Sequence, residues 1–401
     1  MRTIWWMALL VSTAFLTACS QAAPPTSSPT PPPDPTAAPS PTPRPTPTLL
    51  PEENPPAGAA REFTTDFSRH SVPYDQILSG GPTKDGIPAI DEPTYVSVEA
   101  ADSWLQPQEA VIMVRVDGAA RAYPIRILMW HEIVNDTLGG KPVAVTYCPL
   151  CNTAIAFDRE FEGQVLDFGT TGRLRYSNMV MYDRQTESWW QQALGEAIVG
   201  QFTGRRLDMV PAAIVAWEDY KAAYPAGDVL SQETGIDRRY GENPYAGYDS
   251  LDQPSRLYIG PETPDDLPAM VRVIGIDRHG ETIAYPYQVL EAVRVVNATV
   301  GEEAIVVMWA PGTASALDTA NVATGRDVGA ATTYSRVLND QTLTFRLEGD
   351  TIVDEATGSE WSLLGEAVSG PLAGERLTPV AGANFLWFAW AAFVPETEVY
   401  R

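Results

Sequence analysis

The run Cys148-Pro149-Leu150-Cys151-Asn152 places two thiols in one short loop, and His131, in Trp130-His131-Glu132, precedes it closely. Two thiols and an imidazole can do three kinds of work. A Cys-x-x-Cys loop closes into a strained, reducible disulfide and so suits dithiol–disulfide redox chemistry. Two sulfurs and a ring nitrogen, with one position left open, suit Cu(I) or Zn(II). Adjacent thiols in an exported chain can also oxidise into a bridge that is only structural. Cys148, Cys151 and His131 are therefore the candidate catalytic residues, and the same three are the candidate ligands of a metal site. The composition leaves the cofactor unknown, and redox work requires none.

The elements around the loop set what its sulfurs can do. Val143–Tyr147 is a β-branched run that reads as a strand, and Ala154–Phe157 reads as a second. Between them Pro149 presets φ for a turn, and Asn152 tolerates a left-handed backbone. This is a strand–knuckle–strand with both sulfurs on one side. No helix N-terminus follows Cys148 to lower its pKa, and with no second Cys pair a four-sulfur site within one chain is excluded. The apolar spacing of Ile125–Thr137 predicts a short helix carrying His131, which leads through Gly139-Gly140 into the strand ending at Cys148. His131 is thus expected within a few ångströms of the sulfurs, with Cys148 the more reactive thiol. Upstream, Val111–Val116 and Ala120–Tyr123 predict a hairpin around Asp117-Gly118. Downstream, Ala212–Ala223 predicts a closing helix with Trp217 on its buried face.

These segments recur. Ala122-Tyr123-Pro124 returns as Ala284-Tyr285-Pro286, an offset of 162 that also joins Ile133–Thr137 to Val295–Thr299 and Pro149 to Pro311. Near offset 170, Gly195-Glu196-Ala197 returns as Gly365-Glu366-Ala367, and Trp217 as Trp387. The expected fold is α+β and strand-dominated, with two tandem pseudo-symmetric repeats, 109–232 and 270–401, forming one globular unit. Residues 61–108 read as an N-terminal extension and 233–269 as a connector. Features kept in both repeats, such as Trp190/Trp361 and Trp217/Trp387, read as framework. Features in one repeat only are candidates for activity. Ala310-Pro311-Gly312-Thr313 keeps the turn without either thiol, and Val293 stands opposite His131.

Charge and the N-terminus bound the surroundings. The chain has 401 residues and a formal charge of −24, with no Lys/Arg block, which argues against nucleic-acid binding. No Gly-rich phosphate loop and no Gly-x-Ser-x-Gly elbow is present. Residues 1–18 read as a signal peptide ending Leu16-Thr17-Ala18-Cys19, which resembles a bacterial lipobox with Cys19 as lipidation site and mature N-terminus. Residues 20–60 contain fifteen prolines and read, with Cys19, as a stalk. At about 3.1 Å per residue in polyproline II, its reach is on the order of 120 Å. The expected setting is extracytoplasmic, held to a bacterial membrane through lipid, with the redox partner or ligand unidentified.

Several longer motifs carry a family resemblance. Gly80–Asp91, Trp130–Asp136, Val145–Cys151, Met181–Thr186, Arg239-Tyr240 with Pro244-Tyr245 and Tyr248, and Phe388–Phe393 together resemble the family called domain of unknown function 3179. The resemblance spans about 75–401 and implies an exported protein of bacteria or archaea. Some members of that family carry selenocysteine in the Cys-x-x-Cys motif, which implies redox work. Asn152 stands where the family often has Gly, and Phe393-Val394-Pro395 lacks a histidine usual there. Weaker candidates are Lys84-Asp85 in a Gly/Pro loop, Arg173, Arg175 and Asn178 for an anion, and connector tyrosines Tyr240, Tyr245 and Tyr248. The second functional class left open is a non-catalytic binding module with a structural Cys pair.

Overall fold

Ala110–Val116 (β1) and Ala119–Pro124 (β2) pair antiparallel, Val111 opposite Pro124, around Asp117-Gly118. Both turn residues have positive φ, 47° and 84°, the mirror-image turn that matches strand twist and that Asp-Gly favours. The computed structural model describes residues 48–51 and 53–401. The expected signal peptide, Cys19 and most of the expected stalk lie outside the described residues. From Leu50 onward the chain is tied to the body, Leu50 N–H donating to His70 O at 2.9 Å.

Pro124 opens a helix, Ile125–His131 (α1), at the position where a missing N–H costs nothing. The helix was expected to run to Thr137, but Glu132 adopts φ 58° and stops it, its N–H closing on Leu128 O at 2.8 Å. The β-branched residues that follow extend instead, as Ile133–Leu138 (β3). Lys141–Cys148 (β4) pairs between β3 and Thr153–Asp158 (β5), and nearly every residue of β4 and β5 is buried.

A second sheet joins Phe168–Arg175 (β6), Asn178–Asp183 (β7), Trp189–Gln191 (β8) and Glu196–Val199 (β9). Ala212–Ala216 (β10) returns to pair with β1, so the expected helix over Ala212–Ala223 forms only from Trp217 to Ala223 (α2). Trp217 is fully buried there, as expected. Replacing it by Ala removes a load worth about 3–5 kcal/mol.

The later half follows the same order. Strands Arg272–Arg278 and Glu281–Pro286, helix Tyr287–Val293, and strands Val295–Val300 and Glu303–Ala310 have the lengths of β1, β2, α1, β3 and β4, each boundary 162 residues on. Val273 opposite Pro286 repeats Val111 opposite Pro124. Arg294, like Glu132, ends its helix at positive φ, 65°. Asp183, buried in β7, accepts from Thr186 and the Trp190 indole, and Asp354 does the same with Thr357 and Trp361. One apolar cluster unites Val111, Trp217 and Tyr220 with Val306, Met308 and Trp361. The fold is thus strand-dominated α+β, with several sheets in one globular unit.

Candidate functional site

Cys148 ends β4, Pro149–Cys151 form one 3₁₀ turn, Asn152 takes φ 50°, and Thr153, opposite Cys148, begins β5. The strand–knuckle–strand expected from sequence is formed. The Asn152 side chain accepts from the Tyr147 hydroxyl at 3.2 Å, which braces the left-handed residue against its own strand.

Both cysteines are free thiols, 2% and 0% exposed. Their S–H groups converge on one acceptor: Ser177 O lies 3.7 Å from Cys148 Sγ and 3.3 Å from Cys151 Sγ. That carbonyl is aimed by the β6–β7 hairpin, whose turn residues Tyr176 and Ser177 both have positive φ, 53° and 62°. Neither is the Gly or Asn this turn favours, so the conformation costs about 1–2 kcal/mol per residue. Among the described residues Ser177 Oγ is buried without a hydrogen-bond partner. Beneath the sulfurs lies an amide network, Asn178 donating to Gln192 at 2.7 Å and Gln192 to Thr146 Oγ1 at 2.9 Å. Burial pushes the Cys151 thiol well up; its hydrogen bond with Cys148 and that neighbour's charge add to the rise, Asn178 opposes it, and the Glu132 carboxylate adds to it.

The connector covers the knuckle with tyrosines. Tyr248 donates to Leu150 O at 2.9 Å, across the middle of the Cys-x-x-Cys turn. Its neighbour Asp249 is held by Arg272 at 2.6 Å and by Arg326 at 3.0 Å. Burial raises the hydroxyl pKa of Tyr245, and Glu132 and Cys148 reinforce it. Burial likewise pushes Tyr258 up to about 12, with Cys151 among the contributing charges.

His131 does not join the sulfurs as a metal ligand. Its Nδ1 donates to Pro88 O at 2.7 Å, and its Nε2 accepts from Tyr240 Oη at 2.6 Å. Both ring nitrogens are thus in use, and among the described residues no three of His, Cys, Asp and Glu are grouped to hold a metal ion. The Cys148–Cys151–His131 metal set is therefore not formed. Burial lowers the His131 pKa, Pro88 O opposes this and Arg238 reinforces it, so the neutral imidazole is the favoured form. His131 closes the helix, and the backbone reverses at Glu132 before the strand that leads to Cys148 begins.

Glu132 is the residue that sequence reasoning overlooked. It is 8% exposed, and among the described residues its carboxyl has no hydrogen-bond or ion-pair partner. Burial alone pushes it up to about 8. Tyr147 N–H donates to Glu132 O at 2.8 Å, fixing its backbone beside the end of β4. The signal was available in the offset of 162, which sets Arg294 opposite Glu132. Trp309 N–H likewise donates to Arg294 O at 2.8 Å, so the backbone is kept while the side chain changes from acid to base.

The weaker candidates have structural partners. Lys84 pairs with Glu187 and lies 4.7 Å above the Phe63 ring, while Asp85 accepts from Tyr182 at 2.5 Å and Arg184 at 3.3 Å. Arg173 pairs with Glu62 at 3.3 Å, and Arg175 lies 4.4 Å above Tyr176. Of that trio only Asn178 reaches the thiols.

No curated protein and no solved structure matches this chain. A family described as protein of unknown function (DUF3179) matches residues 84–397, nearly the whole described body, and the chain belongs to that family.

Proposed function

We propose that this chain is an exported lipoprotein whose Cys148–Cys151 pair exchanges electrons with disulfides. The observation that carries the reading is the convergence of two free, hydrogen-bonded thiols on the single carbonyl of Ser177. Sulfurs held that way have only to rotate and lose protons to bond. No cation among the causes that set Cys151 favours its thiolate. A reduced form without thiolate stabilisation makes the disulfide the favoured state, so the pair acts as a reductant rather than an oxidant. In this reading Cys19 carries the lipid and residues 20–60 space the domain from an outer membrane face. Among the described residues no helix is long and apolar enough to cross a membrane.

The burial of both sulfurs favours a second reading, a ligand-binding module stiffened by an inert Cys pair. Incubating the reduced full-length protein with glutathione disulfide separates the two. Exchange converts one glutathione disulfide to two glutathiones as both protein thiols vanish, and a Cys148→Ser/Cys151→Ser variant does neither. A wild type that keeps both thiols, with a variant differing only in melting temperature, establishes the binding module instead.

A further inference from the structure

We propose that the cleft lined by Arg115 and Arg376 binds a small molecule through a phosphate or carboxylate oxyanion. The site is independent of the thiols, because the cleft shares no residue with the Cys148–Cys151 knuckle. It has a volume of about 440 Å³ and is lined by Arg115, Asp117, Gly118, Tyr224, Arg376 and Pro379. That is room enough for a small ligand. The first half of the chain supplies the end of β1, its turn and the residue that closes α2, and the later half supplies Arg376.

Both arginines are held in place with donors to spare. Among the described residues Arg115 has no carboxylate partner, and its Nη2 donates to Leu377 O at 2.6 Å, which leaves the rest of its fork unused. The Arg376 guanidinium lies 4.6 Å above the Tyr224 ring, and its Nη2 donates to Ala223 O at 3.0 Å and pairs with Glu366 at 2.5 Å. Its Nη1, with two N–H groups, is buried with no hydrogen-bond partner among the described residues, and so is the Tyr224 hydroxyl. Four other arginines leave a buried nitrogen without a hydrogen bond, but in each it is Nε, with a single N–H. Unpaired buried donors are costly, and an oxyanion in the cleft offers acceptors to both after a small side-chain rotation. Guanidinium forks match phosphate and carboxylate oxygens two at a time. Burial raises the Tyr334 hydroxyl pKa, Tyr224 adds to the rise, and Thr332, Arg115 and Arg376 oppose it. The phenol and both guanidiniums therefore lie within electrostatic reach of one buried point. The nearby acids are Glu366, spent on Arg376, and Asp117, which is exposed at the turn and acts on Lys141.

A second cleft shows the same positions with the charge reversed. The offset of 162 carries Arg115 to Asp277 and Gly118 to Gly280, and the offset of 170 relates Arg376 to Arg206 and Tyr224 to Val394. Asp277, Gly280 and Val394 line a cleft of about 570 Å³. There Arg206 Nη1 meets Asp277 at 3.3 Å, and the backbone of Arg206 bridges to Glu196 as that of Arg376 does to Glu366. One cleft thus satisfies its arginine with an aspartate of the chain. The other has Arg115 where that aspartate stands, and two like charges lining one cleft favour an anion between them.

Isothermal titration calorimetry of the full-length protein with inorganic phosphate and with succinate, at ionic strength matched by sodium chloride, reads the site. One equivalent of either anion is expected to bind saturably, in the millimolar range or tighter, and chloride is not. Tighter phosphate assigns a phosphoryl ligand and tighter succinate a carboxylate, and both support the site. Arg115→Asp places at 115 the acid found at 277. It is expected to weaken binding at least tenfold and to abolish the rise in Tm that the anion gives wild type. Arg206→Gln, at the second cleft, leaves the affinity within twofold. Wild type alone supplies a further readout: phenylglyoxal modifies Arg115 and Arg376, and bound anion slows both severalfold by peptide mass spectrometry. Should Arg115→Asp misfold by circular dichroism, this protection decides. No saturable binding of either anion, binding that protects neither arginine, or a folded Arg115→Asp variant that binds like wild type overturns the proposal.

Discussion

At the residue scale, the thiols announced themselves and the carboxyl did not. Cys148 and Cys151 are conspicuous because the chain holds only three cysteines. Glu132 is one of many acids, and its environment comes from a backbone reversal that no local propensity marks. His131 drew attention through rarity, yet its nitrogens serve Pro88 and Tyr240. The asymmetry that flagged the thiols also covered Glu132 against Arg294, and weighing charge reversals alongside lost thiols would have found it. The Glu132 carboxyl also makes a stability prediction. Its folded pKa of about 8 lies above the ordinary 4.5, so between these values the unfolded chain loses the proton that the folded chain keeps. The unfolded state therefore binds fewer protons, and stability falls as pH rises through that window. Urea melts at pH 5 and pH 8 are expected to show wild type losing on the order of 2–5 kcal/mol more than Glu132→Gln. Equal losses would show that the carboxyl is not held protonated.

At the element scale, turns were legible where turn chemistry is strong and obscure where tertiary packing overrides it. Asp117-Gly118 and the Pro149 knuckle form as their residues dictate. Tyr176-Ser177 adopts positive φ at both positions without the usual residues, and it aims Ser177 O at the sulfurs while Tyr176 packs on Phe393. The helices came out short at α1 and α2 because apolar periodicity alone cannot distinguish a buried strand from a buried helix. The connector over the knuckle gives the second prediction. Tyr248→Phe removes the hydroxyl that donates to Leu150 O and is expected to cost about 1 kcal/mol. Iodoacetamide labelling of the reduced protein should then speed up severalfold, with Cys148 modified first. Unchanged labelling would mean that access to the sulfurs does not run beneath Tyr248.

At the scale of the whole molecule, element order and pairing register recur at the same offset of 162 as the sequence, and duplication of one unit is the proposal these offsets support. An experimental structure is expected to superpose Ala110–Cys148 on Arg272–Ala310 with Pro149 and Pro311 at equivalent turns; prolines in unrelated places would defeat the duplication. The two halves are not expected to fold apart. Val111, Trp217 and Tyr220 share one apolar cluster with Val306, Met308 and Trp361, so a cut through the connector exposes the middle of a core. Circular dichroism and tryptophan fluorescence should report one coincident melting transition, and residues 61–232 expressed alone should lack a cooperative one. Two separate transitions would show independent domains instead. The N-terminal reading is checked by intact mass: the mature chain should begin at Cys19 bearing lipid.

The central claim is a reversible Cys148–Cys151 redox couple, and a redox titration tests it most directly. Full-length protein is equilibrated in dithiothreitol buffers of graded potential, quenched by alkylation, and weighed. A single two-electron transition is expected, with both thiols lost together and a midpoint below about −260 mV, on the reducing side of the glutathione poise. Cysteines that stay alkylatable at every potential, or that oxidise singly and irreversibly, would contradict the account.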